Sequence, residues 1–165
     1  MSKSFVAFDF ETTGFSQNDT IIEIGAVKVV DGKIIAEFSE LVNPGVEIPW
    51  RITNITGITN SMVKGKDDLR LVLPRFLEFA GDFLLVAHNT DFDCRFLHAG
   101  AMQIDHKVEN PTFCTLKHAR RFYPRAGSYS LGNLTTLLGI PLNNAHRALA
   151  DAEAAAKLYL LMHGG

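Results

Sequence analysis

The chain has little that would tie it to an oxidising compartment, a membrane or a long nucleic-acid duplex. Cys94 and Cys114 are its two cysteines; they stand among apolar residues without metal-ligand spacing, so free thiols in a reducing compartment are expected rather than a disulfide. No apolar run approaches the length of a membrane span and no leader pattern opens the sequence, which leads to the expectation of a soluble, cytoplasmic chain without a membrane partner. Repeats, low-complexity tracts and linkers are also missing. At 165 residues and 47% hydrophobic, the chain is ample for one core and short for two, so a single domain over residues 1–165 is expected. The net charge of -2 lacks the basic excess that accompanies tight non-specific duplex binding. The charge is uneven, however: Lys107, Lys117, Arg120, Arg121 and Arg125 cluster within residues 107–125, opposed there only by Glu109. That cluster reads either as a solvated helix face or as a patch that tracks phosphates.

What is present is strong patterning. Phe5 to Phe10 reads as a buried strand and Thr20 to Val30 as a second, and Asp31-Gly32 supplies the positive-φ turn of a hairpin into a third strand, Lys33 to Val42. The stretch from Asn43 to about Lys66 is rich in Gly, Pro, Asn and Thr, as a long loop with short helical turns would be. A helix is expected from Asp68 to Ala80, with a possible break at Pro74. Phe83 to Ala87 reads as a strand and Asp91 to Ala99 as a helix stopped by Gly100. A short strand and a basic helix fill residues 112–123. Ser130 caps a helix through Leu138, and the alanine-rich run Ala148 to Met162 forms the last one. Strands first, then alternating helix and strand, imply an α/β fold with a mixed sheet packed by helices.

Chemistry is concentrated in four acids and one histidine. Asp9 and Glu11 lie two apart on the first strand and therefore share a face. Asp93 ends the segment His88-Asn89-Thr90-Asp91-Phe92-Asp93, which comes off a strand and runs into a helix; His146 and Asp151 lead the last helix. Carboxylates packed together are costly unless a cation neutralises them, and an all-oxygen set suits Mg²⁺ or Mn²⁺ better than Zn²⁺. After Glu11, Thr12-Thr13-Gly14 forms a turn whose backbone N–H groups can face phosphate. Residues five apart differ by about 140° around a helix, so His146 belongs on a loop or first turn rather than on the helical face of Asp151.

Together these segments resemble the three motifs of the DnaQ-like 3′→5′ exonucleases, in the branch with histidine in its third motif (the DEDDh group). The resemblance runs from Phe5 to about Leu161 and is similar in pattern to the proofreading subunit or domain of bacterial DNA polymerase III. It implies a ribonuclease-H-like fold: a five-stranded mixed sheet with an antiparallel N-terminal meander and helices on both faces. It also implies Asp9, Glu11, Asp93 and Asp151 as metal ligands and catalytic residues, with His146 as the catalytic base, and two divalent cations, Mg²⁺ or Mn²⁺, as cofactors. Thr12, Thr13, Gly14, Thr56 and Asn89 are the expected substrate contacts, although Thr56 stands where many family members carry histidine. A chain ending at Gly165 without the tail such subunits use to bind their polymerase would be a standalone exonuclease or an excised domain.

Several neighbours have a plainer expected use. Asp91, first of the pair with Asp93, is placed to cap the coming helix. His88 and Asn89 hydrogen-bond the loop that aims Asp93. Glu23, an acid on an apolar strand, makes a structural hydrogen bond; Phe92 is core and Phe15 a candidate for stacking on a terminal base.

In the implied reaction two metals about 3.5–4 Å apart activate water, stabilise charge on the phosphoryl oxygens and support the leaving 3′ oxygen. On this reading Asp9 bridges the metals, Glu11 and Asp151 complete the site that activates water, Asp93 reaches the second metal through water, and neutral His146 takes the water's proton. The expected partners are single-stranded or frayed DNA 3′ ends and a replicative DNA polymerase, in replication proofreading or repair. The rival readings are an exoribonuclease acting on RNA and a non-catalytic nucleic-acid-binding module on the same fold.

Overall fold

The computed structural model describes residues 2–164, arranged around one five-stranded sheet of order β3-β2-β1-β4-β5. Strands β1 (Phe5–Thr12), β2 (Ile21–Val30) and β3 (Lys33–Leu41) form the antiparallel meander, while β4 (Leu84–Ala87) and β5 (Thr112–Cys114) add in parallel on the other side of β1. The hairpin turn has positive φ at both Asp31 and Gly32, as its sequence requires. Because β1, β4 and β5 run the same way, Glu11, Ala87 and Cys114 all arrive at one edge of the sheet. In open sheets of this kind that edge is where ligands bind.

Alternation along β1 sorts its side chains. Phe8 and Phe10 pack with Phe76 and Leu73 of α3 (Leu69–Ala80) and with Phe96 and Leu97 of α4 (Thr90–Gln103). Phe5 and Ala7 face the other way, against Leu158 and Tyr159 of α7 (Ala148–Met162) and Leu134 of α6 (Leu131–Leu138). Asp9 and Glu11 continue this second row, so the carboxylates point toward the α7 side. A third, smaller core joins Ile22 to Ile48, Ile52, Ile58 and Val63, under α1 (Trp50–Thr56) and α2 (Asn60–Val63) within the long connection. The remaining helix, α5 (Thr115–Phe122), follows β5.

The expected helices form, with three local differences. Pro74 lies inside α3 without ending it. Gly100 does not stop α4, which runs on to Gln103; a Cβ at position 100 would lie 3.0 Å from Leu73 and 3.1 Å from Leu69, so the glycine serves close packing of α3 on α4. Asp91 does not cap α4. Asn89, in a left-handed conformation at φ 80°, precedes the helix, and the exposed Asp91 carboxylate instead pairs with Lys117 at 2.9 Å. Both cysteines are free, as expected. No helix among the described residues is long and apolar enough to cross a membrane.

Candidate active site

Strand β1 outruns β4. The parallel pairing ends at Ala7 with Val86, which leaves the β1 edge open at Phe10. Asp93, on the first turn of α4, fills that gap: its Oδ1 accepts the Phe10 N–H at 3.2 Å. The Asn89 carbonyl accepts N–H groups from Phe92 and Asp93, and this turn aims the Asp93 carboxylate inward. His88 fastens the junction differently from the expected loop contact, bridging Thr115 Oγ1 (2.8 Å) and the Tyr129 carbonyl (2.8 Å).

Asp151 arrives from across the chain. Asp9 pairs with Gly25 and Glu11 with Glu23 on β2, so these four positions share one face of the sheet. A Cβ on Gly25 would lie 2.2 Å from the Ala148 carbonyl carbon and the Leu149 nitrogen. The backbone of α7 therefore rests directly on β2 opposite Asp9, where only glycine fits, and the buried Ala148, Ala152 and Ala155 keep the rest of the helix close. Asp151 is thereby delivered to the β1 carboxylates. Single oxygens of Asp9, Glu11 and Asp151 lie within 4.8 Å of one another.

Glu23 is a fourth carboxylate on this face, and the protein answers it. Arg147 donates to it from Nε (3.1 and 3.2 Å) and from one terminal nitrogen (2.6 Å), and the Ala148 N–H donates at 2.8 Å. Asp9 is the opposite case. Its Oδ2 is buried with no hydrogen-bond partner among the described residues. An orphaned buried carboxylate oxygen is costly, and two further acids beside it make a cation the natural partner.

The electrostatics agree. Burial raises the Asp9 carboxyl well above the usual carboxylate range, and Asp93, Glu11 and Asp151 push it further. Glu11 rises to about 8 through burial and then the Asp151 charge. Asp151 rises to about 6 through burial, which the His146 N–H partly offsets. Asp93 is also raised by burial, against the lowering effect of the Phe10 N–H. Burial and like-charged neighbours are the causes of these shifts, and a bound cation would relieve both. The donors fit a hard divalent cation held by Asp9, Glu11 and Asp151, whereas Asp93 is outside the three-oxygen group, one oxygen being engaged by β1.

His146 lies on the loop before α7 at φ 65°, with an exposed side chain. Its N–H donates to both oxygens of Asp151 (3.3 and 3.2 Å), which fixes the loop to that carboxylate. The expected substrate contacts divide. Thr12 Oγ1 donates to the Gly14 carbonyl, Thr13 Oγ1 to Asp19, and the Thr13 N–H to Thr20, so both threonines shape the turn rather than offering free hydroxyls. Gly14 is needed for space: a Cβ would meet the Asp19 carboxylate at 2.5 Å. Thr56 is buried, donating to the Ile52 carbonyl and accepting the Ile58 N–H, so its side chain is spent within the connection and is not presented to a nucleotide. The side chain of Asn89 is exposed and makes no hydrogen bond among the described residues. Phe15 is 70% exposed and leans on Phe92 at 5.9 Å between ring centres.

Sequence reading missed Gly25, Arg147 and Asp19. Only Glu23 signalled the Arg147 pairing, as an acid stranded on an apolar strand.

The sheet order and this acid cluster define a class, ribonuclease-H-like α/β proteins with a cluster of carboxylates at the sheet edge. The sequence matches the exonuclease family (RNase_T) over residues 6–159, and the chain belongs to that family. It is 47% identical over 155 residues to DNA polymerase III PolC-type of Clostridium perfringens, covering 93% of this chain and 11% of that protein. It is 42% identical over 159 residues to DNA polymerase III subunit epsilon of Aquifex aeolicus, covering 95% of this chain and 79% of that one. The chain thus spans about a tenth of the length of the PolC-type relatives. Among solved structures, exonuclease X in complex with 5′ overhanging duplex DNA superposes with a TM-score of 0.81 at 33% identity, over 97% of this chain and 91% of that one. Escherichia coli exonuclease I in complex with a dT13 oligonucleotide shares the fold at a TM-score of 0.85 and 20% identity, over 98% of this chain and 41% of that one.

Proposed function

We propose that residues 1–165 act as one exonuclease domain that hydrolyses phosphodiester bonds at DNA 3′ ends and releases nucleoside 5′-monophosphates, in replication proofreading or repair. The observation that carries this reading is the group of Asp9, Glu11 and Asp151, with its orphaned Asp9 oxygen, in a chain of the exonuclease family. Kinship with polymerase III chains supports a replicative polymerase as partner and, with it, a cytoplasmic setting.

Asp9, Glu11 and Asp151 would hold divalent metal, with Asp93 completing the acidic surround, and Mg²⁺ or Mn²⁺ in two sites suits an all-carboxylate set. A metal held there would supply charge neutralisation at the phosphoryl oxygens and would acidify the attacking water. The chain's own residues do the rest. His146, beside Asp151 and open to solvent, takes the proton from the attacking water. The Thr12-Thr13-Gly14 turn, with both hydroxyls and the Thr13 N–H committed to the fold, leaves the Gly14 N–H to face the terminal phosphate, Asn89 offers an exposed amide, and Phe15 supplies an aromatic face for the terminal base. The test is a 5′-labelled single strand: with Mg²⁺ or Mn²⁺ it should shorten in a ladder from its 3′ end. Internal cuts in a covalently closed circle, or full turnover in chelator, would overturn the proposal.

A further inference from the structure

We propose that the exposed face of α5 and the turn after it form a cationic track for the single-stranded DNA that trails from the active site, with Arg120, Arg121 and Arg125 contacting its phosphates. The inference rests on the exonuclease reading above and adds a surface to it. Of the five basic residues clustered in the sequence, the fold removes one. Lys107 precedes β5, at the sheet edge opposite the site, and pairs with Glu109 at 3.4 Å. The other four follow β5 and start at the site edge.

Three contacts fix this surface relative to the chemistry. His88, immediately before Asn89, ties Thr115 at the start of α5 and Tyr129 in the loop beyond it to the β4–α4 junction that aims Asp93. Lys117 reaches Asp91, two residues from Asp93. Arg120 lies over the Tyr129 ring at 6.0 Å, which holds its guanidinium near the loop bonded to His88. From Lys117 to Arg121 is one helical turn, about 6 Å, and Arg125 follows in the turn after the helix.

The charges are also uncommitted. Among the described residues Arg120, Arg121 and Arg125 are exposed and make no salt bridge, whereas Arg75 and Arg147 are engaged by acids. In a chain of net charge -2, three arginines without a salt bridge, on the helix that starts at the site edge and the turn after it, are a local field of the sign that attracts a polyanion. Guanidinium groups suit phosphate, and half-buried Tyr129 under Arg120 adds an aromatic ring to the same surface.

The triple variant Arg120→Ala/Arg121→Ala/Arg125→Ala tests this. With a long single-stranded oligonucleotide its KM should rise several-fold while kcat holds, and the salt dependence of KM should weaken by a slope of about 2, since each lost single-strand phosphate contact removes about 0.7. Hydrolysis of a nitrophenyl ester of a nucleoside 5′-monophosphate, too short to reach α5, should stay at the wild-type rate. The matching triple lysine variant should retain most of the salt slope. Wild-type KM and salt slope on the oligonucleotide in the alanine variant would overturn the track. Failure of the wild-type protein to hydrolyse either substrate would overturn the exonuclease reading instead.

Discussion

At the scale of single residues, the site separates acids the protein satisfies from acids it leaves for a cation. Glu23 and Asp9 lie on one face of neighbouring strands, yet Glu23 receives Arg147 and a backbone N–H while Asp9 Oδ2 receives nothing from the described residues. Asp9→Asn should therefore abolish metal-induced stabilisation along with turnover, read by thermal melts with and without Mn²⁺. Glu23→Ala should instead lower stability by about 1–3 kcal/mol by leaving Arg147 and the Ala148 N–H unanswered, and the melt should still respond to metal. His146→Ala separates a third role. Its backbone still holds Asp151, so metal affinity measured by calorimetry should be near wild type while the rate falls by about 10²–10⁴. Near wild-type turnover would remove His146 from the mechanism.

At the scale of elements, the decisive contact is α7 on β2. Gly25→Ala places a methyl group 2.2 Å from the α7 backbone, so the helix start must lift. Overpacking of this kind costs about 1–3 kcal/mol, and because Asp151 rides on the displaced turn, metal affinity should fall along with stability. A destabilised protein that bound Mn²⁺ with unchanged affinity would show that α7 does not set the ligand geometry. This joint was not legible in the sequence. Gly25 sits 123 residues before Ala148, inside a run that reads simply as a strand, and nothing local marks it as the place where backbone meets backbone. By contrast, the DG hairpin, the Ser130 cap and the strand period that puts Asp9 and Glu11 on one face are local rules, and each is realised. Asp91 illustrates the limit of such rules. Its capping propensity is real, but Lys117 on the neighbouring helix competes for the carboxylate, and the left-handed Asn89 starts the helix instead.

Across the whole molecule, the raised carboxyls couple the site to stability. An acid whose folded pKa exceeds its unfolded value binds more protons when folded, so its stabilising contribution is present at low pH and is lost as pH rises through the folded value. For Glu11 that window runs from the ordinary carboxylate range to about 8, and for Asp151 to about 6. Metal-free protein should therefore lose stability between about pH 5 and pH 8. Saturating Mg²⁺ or Mn²⁺, which binds the ionised acids in the folded chain, should flatten that decline, so the rise in Tm on adding metal should be larger at pH 8 than at pH 6. Melting curves with chelator and with metal across this range check it, and a metal-free Tm that climbs with pH would contradict the burial of these acids as charged-group strain.

The amino-acid sequence by itself determined the strands and helices and the meander, and it singled out the candidate site residues, because strand period, turn residues and caps act over a few positions. Tertiary structure decided the rest. It selected Asp9, Glu11 and Asp151 as one cluster, gave Asp93 to the open edge of β1, and spent the hydroxyls of Thr12, Thr13 and Thr56 on the fold itself. It also paired Glu23 with Arg147 and, among the described residues, left Arg120, Arg121 and Arg125 without a salt bridge. Each outcome depends on which groups meet across dozens of residues, and in a buried site the free energy of a polar atom is set by the partner it meets rather than by its own identity.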